Sequence, residues 1–387
     1  MAWTFVRDAL MLLALASFAY YVVAIVAALR FFGRRDAVSV PSDFTPPISI
    51  LKPIYGLDRD TYENYASFCA QDYPDYEILF CVSDDEDPAI PVIEQIARDF
   101  PQRRIHLLIG SDPLGVSDKV NKLCRMAREA RHEILAISDS DVRVEPEYLR
   151  AIAAPFRDPA VGAVTCLYRG LTDGSLAANL EAIGNSTDFT AGVLVAWLFA
   201  PVNFALGATM ATTKSCLAEI GGFESLVDHF SDDYELGNRI AASGHRVELS
   251  TFPVAIVYPH QTLADAFRHQ LRWNVSIRFS RPAGHLGLIF TQALPLALLA
   301  AVFAPTAAWA INLLLGYLVF RGISAWVVGF YSMRDAGVRK HLELLPLRDA
   351  FAFIVWLASF FPQRIHWRDR EFYVRDKRLV PTAPRQP

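Results

Sequence analysis

The sequence predicts an α/β domain on a mostly parallel, Rossmann-like sheet, held to a membrane by apolar segments near both ends. Three observations carry this. Between residues 48 and 137, short apolar runs alternate with stretches of helical spacing. Residues 9–32 form one long apolar run, and a second apolar block fills residues 286–330. Hydrophobic residues make up 53% of the 387, which fits a sizeable domain carrying a few membrane segments.

The first membrane segment, Ala9 to Phe32, carries a single charge, Arg30, at its end. About 20 apolar residues span a bilayer, so the run is long enough. A cleaved signal would start basic and end on small residues. Here the basic cluster Arg30, Arg34 and Arg35 follows the apolar run. The excess of positive charge on cytoplasmic flanks then puts the N-terminus outside and the domain at 36–280 in the cytoplasm. The block at 286–330 is divided by Pro305 and flanked by Arg278 and Arg281 before it and by Arg334, Arg339 and Lys340 after it. It reads as two spans with an outside turn near Ala304. Residues 350–361 are too short for an easy span and read as a re-entrant, interfacial or third membrane segment. A basic cytoplasmic tail is expected at 362–387. The apolar stretch 191–211, interrupted by Pro201 and Asn203, reads either as a buried core helix or as a helix at the membrane surface where a lipid would approach.

Within the domain, strands are expected at 48–51, 76–82, 105–109 and 134–137, with helices at 61–71, 89–100 and 120–130. Apart from Glu77, the run from Tyr76 to Val82 is apolar, as in a strand buried on both faces. Strands alternating with helices imply a parallel sheet covered on both sides. Ligands bind such sheets beyond the carboxyl ends of the strands.

Acidic clusters stand at two of those ends: Ser83-Asp84-Asp85-Glu86-Asp87 and Ser138-Asp139-Ser140-Asp141. Like charges at one sheet edge call for a cation or donors to offset them. In Asp-x-Asp after a strand, one carboxylate can take a nucleotide ribose. The other can take a divalent cation that bridges diphosphate oxygens. Farther on, Asp232 and Asp233 stand at the start of a helix expected at Tyr234 to Ala242. There Asp233 reads either as a helix-terminus carboxylate or as a general base for an attacking hydroxyl. Last, His269, Arg272 and Trp273 share one helix face at i, i+3 and i+4. They read either as an interfacial aromatic with a snorkelling arginine or as a clamp for a diphosphate.

The four pieces in this order resemble the inverting lipid glycosyltransferases of the ceramide glucosyltransferase type, with the bacterial hopanoid-biosynthesis-associated glycosyltransferases in the same group. The resemblance covers nearly the whole chain. It rests on Ile50-Leu51-Lys52-Pro53, Asp72-Tyr73-Pro74-Asp75-Tyr76-Glu77, Cys81-Val82-Ser83-Asp84, Asp87-Pro88-Ala89-Ile90 and Asp139-Ser140-Asp141-Val142-Arg143-Val144. It implies a GT-A fold, a UDP-sugar donor, a membrane-lipid acceptor such as a ceramide-like sphingolipid or a hopanoid, and transfer with inversion. It also implies a bacterial inner-membrane location. The family's essential aspartates fall on Asp87, with Asp84 beside it, on Asp139 and on Asp233, its presumed base. Its lysine after the third strand falls on Lys119. Lys52, Asp84, Asp87, Lys119, Asp139 and Asp141 are then expected at the nucleotide-sugar. His269, Arg272 and Trp273 are expected at the acceptor and diphosphate, and Asp141 with Asp139 at a Mg2+ or Mn2+ ion. Two positions depart from the pattern. His269 stands where the family has Gln or Arg, and Asp141 where animal ceramide enzymes carry glycine. Thr165-Cys166-Leu167-Tyr168-Arg169-Gly170 and Asp232-Asp233-Tyr234-Glu235-Leu236-Gly237 lean toward the hopanoid-associated branch.

Other functions fit less well. A net charge of -4 argues against a nucleic-acid partner. The five cysteines show no CxxC spacing and fit a reducing compartment rather than a zinc site. A processive polysaccharide synthase would share the aspartates and the Arg-Trp pair but needs more spans. A nucleotidyltransferase would need neither the late Asp233 nor the Arg-Trp helix. A sugar-nucleotide scaffold without activity would not keep the full set of acids.

Overall fold

The computed structural model describes residues 2–34, 43–361, 364–367, 370–375 and 377–382. Arg35, the start of the expected domain at 36–42 and parts of the expected tail lie outside them. The chain divides into two compact units. One is made of Asp36–Tyr168, Pro201–Pro259 and Gln363–Pro387, the other of Met1–Arg35, Arg169–Ala200 and His260–Pro362.

The first unit carries the sheet. Its strands are β1 (Ile48–Pro53), β2 (Tyr76–Val82), β3 (Arg104–Ile109), β4 (Ile134–Ser138), β5 (Val142–Arg143), β6 (Val161–Leu171), β7 (Thr209–Thr213) and β8 (Arg246–Val257), in the order β3-β2-β1-β4-β7-β6-β8-β5. The pairs β3–β2, β2–β1 and β1–β4 are parallel, and β7 joins β4 antiparallel. Every residue of β1, β2 and β4 is buried, including the polar Ser49, Lys52, Glu77 and Ser138 within otherwise apolar runs. The connecting helices cover the sheet with apolar stripes. Thr61–Cys69 buries Tyr65 and Phe68, Ile90–Asp99 buries Ile93 and Ile96, and Asp118–Glu129 buries Val120, Leu123, Cys124 and Met126. Ser117 caps the last of these by accepting from the Val120 amide. The α/β expectation holds, and the sheet is mixed: a parallel half extended by antiparallel strands.

The C-terminal segment expected as a tail forms a second sheet. Its strands β9 (Arg364–Trp367), β10 (Arg370–Arg375) and β11 (Arg378–Pro381) pair antiparallel in the order β11-β10-β9.

The stretch 191–211 is not one helix. A helix spans Thr190–Phe199, in the second unit, and β7 begins at Thr209, in the first. Ala200 is extended, at φ -151 and ψ 155, because the residue before a proline is pushed out of the helical region. The β-branched run Thr209-Met210-Ala211-Thr212-Thr213 then suits a sheet.

In the second unit, Thr4–Phe32 and Ala307–Ser332 are long and apolar enough to cross a membrane. Pro282–Thr291 and Ala293–Val302 form a pair bent by 57°, so the block before Ala304 is one broken span or a re-entrant segment. Small residues let these helices approach. Ala14, Ala293, Ala297 and Ala300 are fully buried, and Phe18 stacks on Phe320 at 5.5 Å. Residues 350–361 lie mostly on the helix Leu345–Ala358.

Candidate active site

At the carboxyl end of β4 the chain turns through Asp139 and Asp141 into β5. Lys52, on the neighbouring β1, is fully buried and donates from Nζ to the main-chain oxygen of Asp139 at 2.8 Å. Its ammonium lies 3.8 Å from the centre of the Phe68 ring. Burial lowers the Lys52 pKa to about 7, against the pull of Asp139 and Asp141. Lys119, in the first turn of the helix Asp118–Glu129, reaches Asp139 Oδ1 at 2.8 Å and Asp232 Oδ2 at 3.4 Å. Burial opposes its charge, but Asp139 and Asp232 outweigh that and hold the ammonium above lysine's ordinary value. Lys119 is therefore a fixed cation between the two acidic segments.

Asp232 and Asp233 open the helix Asp232–Ala242. Asp233 Oδ1 accepts from the Tyr234 amide at 2.7 Å. Burial, then the neighbouring Asp232, raise its pKa to about 6, with Lys119 pulling the other way. Gly207, just before β7, completes the arrangement. A Cβ there would stand 3.2 Å from Asp233 Oδ2 and 3.7 Å from Asp139 Oδ2. The two carboxylates thus converge on one point, kept open by the missing side chain.

The turn also fits a cation. Burial, then Asp139 and Asp58, push Asp141 up to about 7, the mark of a crowded negative cluster that positive charge relieves. Among the described residues no three His, Cys, Asp or Glu side chains form a protein cage. Two carboxylates suit a hard divalent ion that draws its other oxygens from a diphosphate and water.

The acids after β2 sit differently. Asp84 is exposed and accepts from the Glu86 amide at 3.1 Å. Asp87 is buried and accepts from the Gly56 amide at 3.0 Å and the Ala89 amide at 2.9 Å. It pins the loop after β1, where Gly56 has φ 67, to the start of the next helix. Lys52 and Lys119 contact Asp139, Asp139 and Asp233 approach each other over Gly207, and Asp141 follows Asp139 in the same turn. Asp84 and Asp87 shape the adjoining strand end.

His269, Arg272 and Trp273 belong to the second unit, on the helix Leu263–Ser280. Thr262 and Asp265 close its start as a reciprocal capping box. The His269 and Trp273 rings stand 4.6 Å apart, as their i, i+4 spacing requires.

Sequence reasoning passed over Gly207, the bridging contact of Lys119 and the role of Asp58. A lone glycine in an apolar stretch gives no local sign that two distant acids meet over it. A lysine that opens a helix beyond a strand end was the one available signal for the bridge.

The description Glycosyl transferase family 21 matches residues 9–380. Ceramide glucosyltransferase 1 of Caenorhabditis elegans is 25% identical over 365 residues, covering 91% of this chain and 77% of that protein. A ceramide glucosyltransferase of Komagataella phaffii is 33% identical over 146 residues, 35% of this chain and 28% of that one. Among solved structures, a mannosyltransferase of Pyrobaculum calidifontis in complex with GDP-Man and Mn2+ is similar with a TM-score of 0.48 and 20% identity, over 90% of this chain and 99% of that one.

Proposed function

The chain belongs to glycosyl transferase family 21, and from that premise we propose that it moves a sugar from a UDP-sugar to the hydroxyl of a membrane lipid, a ceramide-like sphingolipid or a hopanoid, with inversion. The observation that carries this reading is the convergence of Asp139 and Asp233 over Gly207. It joins a carboxylate suited to the donor side with one suited to the acceptor.

In this reading Asp233 takes the proton from the lipid hydroxyl as that oxygen attacks the anomeric carbon. A pKa of about 6 leaves it ionised near neutral pH yet basic enough to hold a proton. No second carboxylate is assigned as a nucleophile, so a single displacement follows and a UDP-α-sugar gives a β-glycoside. Asp139 and Asp141 would hold Mg2+ or Mn2+, which would supply positive charge to offset that of the diphosphate. Lys52 fixes the turn through the Asp139 carbonyl, and Lys119 keeps Asp139 and Asp232 oriented. Asp84 and Asp87 serve the nucleotide end. His269, Arg272 and Trp273 serve the diphosphate and acceptor.

Residues 9–32 are the proposed anchor, 36–280 the cytoplasmic catalytic segment, 286–330 two spans and 350–361 a re-entrant, interfacial or third membrane segment, in a bacterial inner membrane. UDP release from a panel of UDP-sugars, with and without lipid extract and with excess EDTA, tests the reading. Lipid-dependent release abolished by EDTA, with a β-linked product by NMR coupling, is expected. Release indifferent to lipid, or an α-linked product, contradicts it.

A further inference from the structure

Glu181 is a buried carboxylate to which neither the sequence motifs nor the proposed chemistry gives a part. It lies on the helix Leu176–Gly184, with its side chain 1% exposed. Three side chains from the segment 261–270 converge on it. His269 Nδ1 stands 2.7 Å from Oε1, Gln270 Nε2 donates to the same oxygen at 2.9 Å, and Gln261 Nε2 donates to Oε2. Burial raises the cost of its charge, but the contacts with His269, Gln270 and Gln261 outweigh that and hold the carboxyl below the usual glutamate range. An ionised carboxylate can only accept, so Nδ1 of His269 must carry a hydrogen and Nε2 is the ring nitrogen left for a ligand. The Trp273 ring, 4.6 Å away, supports the imidazole from the next turn of its own helix.

Several other charged groups on the elements packed here have partners of their own. Asp265 bonds Thr262 and Arg268, and Asp173 pairs with His260. On the helix Leu345–Ala358, Arg348 and Asp349 pair with Asp188 and Arg321. His285, on the helix Pro282–Gly287, bonds Ser359. Glu181 is thus the carboxylate in contact with the imidazole.

We propose that Glu181 is a positioning residue for glycosyl transfer: it fixes the tautomer and the ring angle of His269 so that Nε2 meets a diphosphate or hydroxyl oxygen of the substrates. The inference rests on the reading that His269 serves the transfer reaction. It also accounts for histidine at a position where the resembling family has Gln or Arg. An imidazole has two inequivalent nitrogens and needs a second group to choose between them, whereas a glutamine amide does not.

The test is a double-mutant cycle in native membranes on lipid-dependent UDP release per folded molecule. Its corners are wild type, Glu181→Gln, His269→Gln and the double variant, with Tm measured beside each. Glu181→Gln is expected to lower kcat/KM about tenfold in the wild-type background and less than about twofold once residue 269 is Gln. A purely structural Glu181 gives the same loss in both backgrounds, and that equality overturns the proposal. So does a Glu181→Gln protein within about twofold of wild type. If Glu181→Gln does not fold, Glu181→Asp runs the same cycle, since it keeps the charge but withdraws it from Nδ1. An active wild type with additive changes sinks this inference alone. An inactive wild type removes the reaction itself and both readings with it.

Discussion

As the proposed base, Asp233 would have to meet two demands that pull in opposite directions. It must be ionised to accept a proton, and it must hold that proton well enough to speed the attack. Burial and Asp232 raise its pKa to about 6, while Lys119 keeps it from rising further. The rate of a base is present above its pKa and lost as pH falls through it. The acid limb of kcat/KM is therefore expected near pH 6. A limb near pH 4, the ordinary aspartate range, would show that the proton goes elsewhere. Gly207 gives a second residue-scale outcome. Alanine there brings a methyl group 3.2 Å from Asp233 Oδ2 into the space where the two carboxylates meet. Gly207→Ala is expected to cost about tenfold or more in kcat/KM, through misplacement of reacting groups, with little change in Tm. Unchanged kinetics would mean that nothing reacts in that space.

At the scale of elements, the strands and the acids that follow them were readable because both signals are local. An apolar run ends and carboxylates begin. The partners of those acids were not readable. Asp139 meets Lys119 and, across Gly207, Asp233, all from distant segments, and no spacing rule links them. The C-terminal strands were missed for a related reason. Their basic composition reads as a solvated tail, yet backbone pairing disregards side-chain charge. The Leu379 amide donates to Asp228 O at 2.9 Å, and the Phe230 amide donates to Lys377 O at 3.1 Å. Lys377 Nζ stands 3.7 Å from Glu235 Oε1. The small sheet thereby grips the loop that leads into Asp232 and Asp233. Removing residues 364–387 is expected to slow turnover about tenfold or more through loss of base alignment, with UDP binding by calorimetry largely kept. Full turnover of the shortened chain would show that the loop holds itself.

At the scale of the whole molecule, the apolar unit has its own polar centre, and one signal for it stood in the sequence: Arg321 interrupts the apolar block at 286–330. A charge within such a run needs partners. Arg321 is almost fully buried and pairs with Asp188 at 2.6 Å and Asp349 at 2.9 Å. These contacts tie the helix Ala307–Ala325 to the π-helical segment Asn185–Phe189 and to the helix Leu345–Ala358. Arg321→Leu leaves Asp349 without its cation and Asp188 with Arg348 alone, and is expected to cost about 3–5 kcal/mol, read as a lower Tm in detergent. A wild-type Tm would mean that water already satisfies those acids. In the proposed reaction, catalysis turns on one atom pair, the Asp233 carboxylate and the acceptor hydroxyl. The most direct test is turnover per folded molecule of Asp233→Asn, with UDP-sugar affinity measured on the same protein. Asparagine keeps the size and caps a helix as well as aspartate does, but it cannot take a proton. A loss of roughly 10²–10⁴-fold in turnover with donor affinity nearly intact is the predicted result. Near-wild-type turnover would remove Asp233 from the mechanism.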